Sequence, residues 1–160
     1  MEMTTALKLL RSSAFTIWVC VSLNVAFLVQ NSLASDCLAY EPANVKLTGV
    51  IVRKIFPGPP NYESVHLGDK PETTWLLVLP KSICVDQDKN EPDLNAAQKG
   101  VVRIQLVFLQ PERYREYAGL VGKRVVATGT LYGAHTGYHH TPVLLTVGTL
   151  APAQDTASKP

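Results

Sequence analysis

The residues best suited to chemistry are histidines. Three of them crowd into one short stretch, Ala134-His-Thr-Gly-Tyr-His-His-Thr-Pro142, and the fourth, His66, lies far upstream. An imidazole changes charge near neutral pH, and in its neutral form it ligates zinc, copper or nickel. The stretch reads as the tip of a β-hairpin, with a tight turn centred on Thr136-Gly137 where glycine supplies the positive φ such a turn needs. In that register His135 faces Tyr138, Ala134 faces His139 and Gly133 faces His140. Strand parity then sets His135 and His140 on one face and His139 on the other. Two imidazoles are too few for a structural zinc site, which takes four ligands, and His66 is the candidate third. Three readings stay open: solvated, hydrogen-bonded tip residues; a zinc or copper site built from His135, His140 and His66; or part of a site for a polar ligand or partner.

Other constellations are weaker. Ser64 and His66 are close in sequence, but they sit on a proline-rich stretch with no acid to orient the imidazole, and Asp69 paired with a hairpin histidine has no supporting motif. Nucleophilic catalysis needs a nucleophile, a base and a group that orients the base, so the expectation is a protein that is not an enzyme. Asp86, Asp88, Asn90, Glu91 and Asp93 are spaced like oxygen ligands. The glycine and closing glutamate of a calcium loop are missing, which leaves a solvated loop between Lys81 and Gly100.

The elements that must hold the histidines read as strands. Val45–Phe56 alternates with Val45, Leu47, Gly49 and Ile51 on one face. Phe56–Asp69 is a long loop in which Pro57, Pro59 and Pro60 forbid regular pairing; a loop of that length is functional or disordered, and here it is expected to cover one end of a barrel. Thr73–Leu79 is a strand apolar on both faces, closed by Pro80. Val101–Phe108 puts Val102, Ile104, Leu106 and Phe108 one way and Arg103 and Gln105 the other. Pro111–Gly119 is a short helix, with Pro111 at its start, Glu112 in its first turn and Gly119 at its stop. Lys123–Tyr132 and Pro142–Thr149 form the closing hairpin, with Val125, Ala127, Gly129 and Leu131, and then Val143, Leu145 and Val147, inward.

The order is strand, long loop, two strands, short helix, hairpin. It predicts a mainly β fold, a small five-stranded OB-like barrel with its helix between strands three and four; an open β-sandwich is the alternative. In such a barrel the ligand surface is the face of strands two and three, flanked by the loops after strands one and four. The candidate ligand residues are therefore Tyr62, His66, Trp75, Arg103, Gln105 and Tyr138. Trp75 reads first as core.

Residues 1–34 read as a secretory signal. Lys8 and Arg11 precede an apolar run from Ala14 to Val29, and Ser32-Leu33-Ala34 offers a cleavage point after Ala34. The run is short of the roughly 20 residues a membrane span needs, so no stable span is expected after cleavage; an uncleaved anchor is the alternative. Residues 35–150 then make one domain, and 151–160 a small, polar, disordered tail. Cys37 and Cys84 remain after the signal and are expected to pair in an oxidising compartment. The net charge of the whole chain is +2, and no basic run marks a nucleic-acid footprint. The expected partners are a small polar ligand or cell-envelope component, or another exported protein.

The combination of Leu47-Thr-Gly49, Phe56-Pro-Gly-Pro-Pro-Asn-Tyr62, Gly68-Asp69, Gly122-Lys123 with Thr128-Gly-Thr-Leu131, and His135-Thr-Gly-Tyr-His-His-Thr-Pro-Val-Leu144 resembles an uncharacterised secreted bacterial family, the domain of unknown function numbered four-four-three-one. The resemblance covers most of residues 35–150, and the histidine stretch is its most specific part. It implies an exported, periplasmic or secreted bacterial protein and brings no activity or catalytic residues.

Overall fold

The computed structural model describes residues 37–154. The expected signal segment with its Ala34 cleavage point, and residues 155–160 of the expected tail, lie outside the described residues.

Alternation builds the strands. In β1 (Asn44–Pro57) Val45, Leu47, Gly49 and Ile51 are buried between exposed Lys46, Val50 and Arg53. β2 (Pro71–Val85) and β3 (Gln98–Val107) follow, then the helix α1 (Glu112–Glu116) with a turn of 3₁₀ helix at Ala118–Leu120, and finally β4 (Arg124–Gly133) and β5 (Val143–Pro152). The strands hydrogen-bond in the order β1-β2-β3-β5-β4, and β4 returns to β1, so the sheet closes on itself. Every neighbouring pair is antiparallel except β3 and β5, which run parallel through only three pairs, Gln105↔Leu144, Leu106↔Leu145 and Val107↔Thr146. This is the small OB-like barrel expected from the chain, with its helix between β3 and β4.

Ile51, Leu77, Ile104, Val125, Leu131 and Leu145 fill the interior and are fully or almost fully buried. Beside the helix, Trp75, Phe108 and Tyr114 form an aromatic knot. Phe108 and Tyr114 meet edge to face with centroids 4.6 Å apart, and Trp75 meets Tyr114 at 5.5 Å. Leu76 and Leu144 are equally buried but point away from that interior. They form a second, outer apolar layer, which explains why the second strand is apolar on both faces. Gly129 is a close-approach position: a Cβ there would run into the Thr146 carbonyl of β5.

Several expectations are corrected. β2 does not stop at Pro80 but continues to Val85. Its pairing with β3 slips between Val78 and Ile83, where proline has no N–H to give the ladder and a bulge absorbs the irregularity. The slip reverses side-chain parity at the start of β3, so Val101 is buried and Val102 is 42% exposed, opposite to simple alternation. Part of the stretch expected as a solvated loop is thus strand. Within the remainder, Asn95 is buried and its Oδ1 accepts the Gly133 N–H at 2.8 Å. Ala151 and Pro152, expected in the tail, pair with β4.

Cys37 and Cys84 form the expected disulfide. It ties the segment before β1 to the end of β2, where Leu38 donates to the Cys84 carbonyl and accepts from the Asp86 N–H. Among the described residues no helix is long and apolar enough to cross a membrane. The cross-link spans 47 residues of sequence. Replacing both cysteines by serine should therefore lower the unfolding free energy by about 4 kcal/mol, measured by urea denaturation of the oxidised protein and the double variant.

Candidate ligand-binding surface

The long loop between β1 and β2 is ordered by one carboxylate. Asp69 is buried; its Oδ1 accepts the Asn61 N–H at 2.9 Å, and its Oδ2 accepts those of Glu63 and Ser64 at 2.7 and 2.8 Å. The N–H groups of Ser64 and then Asn61 hold this carboxyl below its ordinary 3.8, against the opposing effect of burial. Ser64 caps the 3₁₀ turn Val65–Leu67 by accepting the His66 N–H. Ser64 and Asp69 are thus both engaged in shaping the loop.

The loop between β4 and β5 is held from the side by β3. Gln105, only 8% exposed, uses both ends of its amide: Nε2 donates to the Tyr138 carbonyl at 2.9 Å and Oε1 accepts the His140 N–H at 2.7 Å. Its backbone N–H donates to Thr141 Oγ1 at 2.9 Å, and that hydroxyl donates to the Val143 carbonyl. The connection is consequently not a tight two-residue turn. Gly133 pairs with Val143 rather than His140, and residues 134–142 form a loop with a turn closed by His139 N–H to the Thr136 carbonyl. Gly137 is needed for proximity rather than for a positive φ, since a Cβ there would stand 3.0 Å from the Tyr62 ring.

This geometry redistributes the histidines. His135 pairs with His139, not with His140: their rings meet edge to face at 4.6 Å, and the His135 N–H donates to His139 Nδ1 at 3.0 Å. His135 Nδ1 lies 3.0 Å from the Gly133 carbonyl. A carbonyl only accepts, so Nδ1 carries the His135 proton. His139 Nδ1 is already an acceptor, which in the neutral ring puts the proton on Nε2. Burial, and then the charges of His135 and His140, push His139 below its ordinary 6.5 and favour this neutral form. The tip therefore presents one free imidazole lone pair, on His135. His140 turns the other way. It stacks on Phe56 with centroids 4.3 Å apart and planes 1° from parallel, and its Nε2 donates to Glu72 Oε2 at 3.2 Å. His66 is exposed on the long loop. The expected zinc or copper trio of His135, His140 and His66 is not assembled, and among the described residues no group of three or more His, Cys, Asp or Glu stands where it could hold a metal ion. The reason is that β3 draws the loop's backbone sideways, which splits the histidines between two neighbourhoods.

The two loops do meet. Tyr62 and Tyr138 touch edge to face at 5.3 Å, Tyr62 lies over Gly137, and Phe56 stacks on His140. Two cavities open on the outer face beneath them. One, of about 410 Å³, is bordered by Glu72, Thr74, Trp75, Gln105, Tyr114 and Tyr138. The other, of about 270 Å³, is bordered by Lys54, Phe56, Leu76, Lys99, Val102, Arg103 and His140 among others. Of the residues nominated from sequence, Gln105, Tyr138, Arg103 and Tyr62 thus lie on or against this surface. Trp75 is 6% exposed and belongs to the aromatic knot, with only an edge at the cavity. His66 contributes nothing to either cavity's border. Sequence reasoning missed Phe56, Lys54, Lys99 and Glu72; the outward parity of Lys54 and Phe56 in β1 was the one signal for any of them.

Residues 103–151 match the family model described as a domain of unknown function, DUF4431. The matched segment includes Gln105, Thr141 and the whole histidine loop, and omits the Asp69 loop and both disulfide cysteines. No curated protein matches the chain.

Two outcomes test the loop architecture. Gln105→Leu leaves the Tyr138 carbonyl and His140 N–H without their partner and should cost about 2 kcal/mol, with faster amide exchange at His140 by NMR. For Asp69 the bound form is the carboxylate and its folded value is depressed. Its contribution is therefore complete above the ordinary 3.8 and is lost as pH falls from there through the folded value. The protection factors of the Asn61, Glu63 and Ser64 amides, measured against their intrinsic exchange, should fall over that window in the parent protein and be low at every pH in Asp69→Ala.

Proposed function

We propose that the protein is an exported, non-enzymatic binding module whose ligand seats on the outer face of β2 and β3 between the loop after β1 and the histidine loop. The observation that carries this reading is the convergence of the two loops, Tyr62 on Gly137 and Tyr138 and Phe56 on His140, above two cavities. Binding surfaces of this kind combine a mostly apolar floor with a few polar groups held in place by a rigid scaffold. Here Gln105 and Asp69 supply that rigidity. The absence of enzymatic activity is supported by the uses to which Ser64 and Asp69 are already put. Export rests on the apolar run at Ala14–Val29 and on the disulfide.

The test is a thermal-shift screen of the protein against muropeptide fragments and oligosaccharides, followed by NMR mapping of any hit. A true ligand should raise the melting temperature and perturb amides in residues 56–72, 103–106 and 134–142. A screen in which no class shifts the transition, or in which the perturbed amides lie elsewhere, overturns the reading.

A second reading, a cap for another exported protein, draws on Leu67 and Tyr138, which are 80% and 53% exposed on the two loops. Capture of a protein partner from periplasmic extract, lost in Leu67→Asp, separates it from the first.

A further inference from the structure

Resting on that binding reading, we infer that the cavity between Phe56 and β3 takes an organic anion, a carboxylate or phosphate monoester carried on a short aliphatic body. Lys54 from β1 and Lys99 and Arg103 from β3 all border this one cavity of about 270 Å³, and no Asp or Glu borders it among the described residues. Among those residues the carboxylate contacts of cationic or imidazole side chains are the Arg113–Glu116 ion pair and the His140–Glu72 hydrogen bond, so none of the three cations has a carboxylate partner. Three like charges around one small space repel, and an anion placed between them removes that repulsion and gains charge-assisted hydrogen bonds.

The cations are not simply loose surface side chains. The Lys54 ammonium sits 4.9 Å above the centroid of Phe56. His140 stacks on the same ring and is fixed in turn by Glu72 through its imidazole and by Gln105 through its backbone N–H. A chain of contacts from the buried amide of β3 therefore places an ammonium at the mouth of the cavity. The same arrangement disfavours one ligand class. Phe56 is already engaged by both Lys54 and His140, so it is a poor platform for a nucleobase or a sugar ring, and single-stranded nucleic acid depends on such stacking. What remains for the body of the ligand is the half-exposed Val102, with Leu76 and Val101 beneath it, a surface suited to a short alkyl chain. Arg103 suits either headgroup, since a guanidinium meets both carboxylate and phosphate with two parallel hydrogen bonds.

The experiment is calorimetric titration of the protein with hexanoate, hexyl phosphate, 1-hexanol and inorganic phosphate. At least one of the two organic anions should bind, and the tighter of them identifies the headgroup. 1-Hexanol and inorganic phosphate should each bind about tenfold more weakly or not at all, because each lacks one half of the recognition. Raising salt should weaken the anion. Lys99→Gln with Arg103→Gln should weaken it by about tenfold without moving the melting temperature, since both side chains are exposed and unpaired, and Lys123→Gln on the far side of β1 should change nothing. Equal binding of 1-hexanol and the anion, indifference to the double substitution, or no heat with either anion each overturns the inference. If neutral ligands from the wider screen still perturb residues 103–106 and 134–142, the binding surface stands and only its preference for anions falls; if nothing perturbs them, both fall.

Discussion

The side-chain amide of Gln105 is the constraint on which the order of the histidine loop, and with it the proposed ligand surface, depends. A glutamine in the middle of a strand is an expensive residue to bury unless both its carbonyl and its NH₂ find partners. Here both partners are backbone groups of the histidine loop, the Tyr138 carbonyl and the His140 N–H. The loop is thereby ordered by the barrel wall and not by its own turn chemistry. Thr141 repeats the arrangement one residue on, taking the Gln105 N–H on its hydroxyl and passing a hydrogen bond to Val143. Without these contacts the backbone of His140 would lose its anchor on β3, and the imidazole would be held against Phe56 by Glu72 alone.

The strands were legible because alternation in the first half of β1 and throughout β4 is nearly unbroken. Val45, Leu47 and Ile51, and then Val125, Ala127 and Leu131, are the buried positions that period-two counting selects. The start of β3 was misread because its parity is set by a slip opposite Pro80 and not by its own residues. Periodicity sees one strand at a time and cannot see a bulge in the neighbour. The disulfide was legible because only one pairing is available once a signal segment is set aside. Asp69 was not legible as the organiser of its loop, because a carboxylate that accepts backbone N–H groups looks in sequence like any other exposed acid.

The histidines show how far composition is from chemistry. Their clustering in the chain suggested convergence on a metal, yet three close neighbours end in two settings. His135 and His139 hold the tip through the His135 backbone N–H and an edge-to-face ring contact, whereas His140 joins an aromatic stack with Phe56 and a hydrogen bond to Glu72. Conversely, Lys54, Lys99 and Arg103 carry no pattern in the chain, and it is the closure of the sheet that gathers them at one cavity.

The three-pair contact between β3 and β5 is the shortest join in the ring, and Gln105 lies at one end of it. The clamp on the histidine loop is therefore also a fastener for the closure of the whole wall. A molecule wedged under that loop would stiffen the cylinder as well as fill a groove. Damage to the loop would let the two strands gape and bare a row of unpaired amides and carbonyls, turning the defect of one copy into an invitation for a second copy to add its own edge.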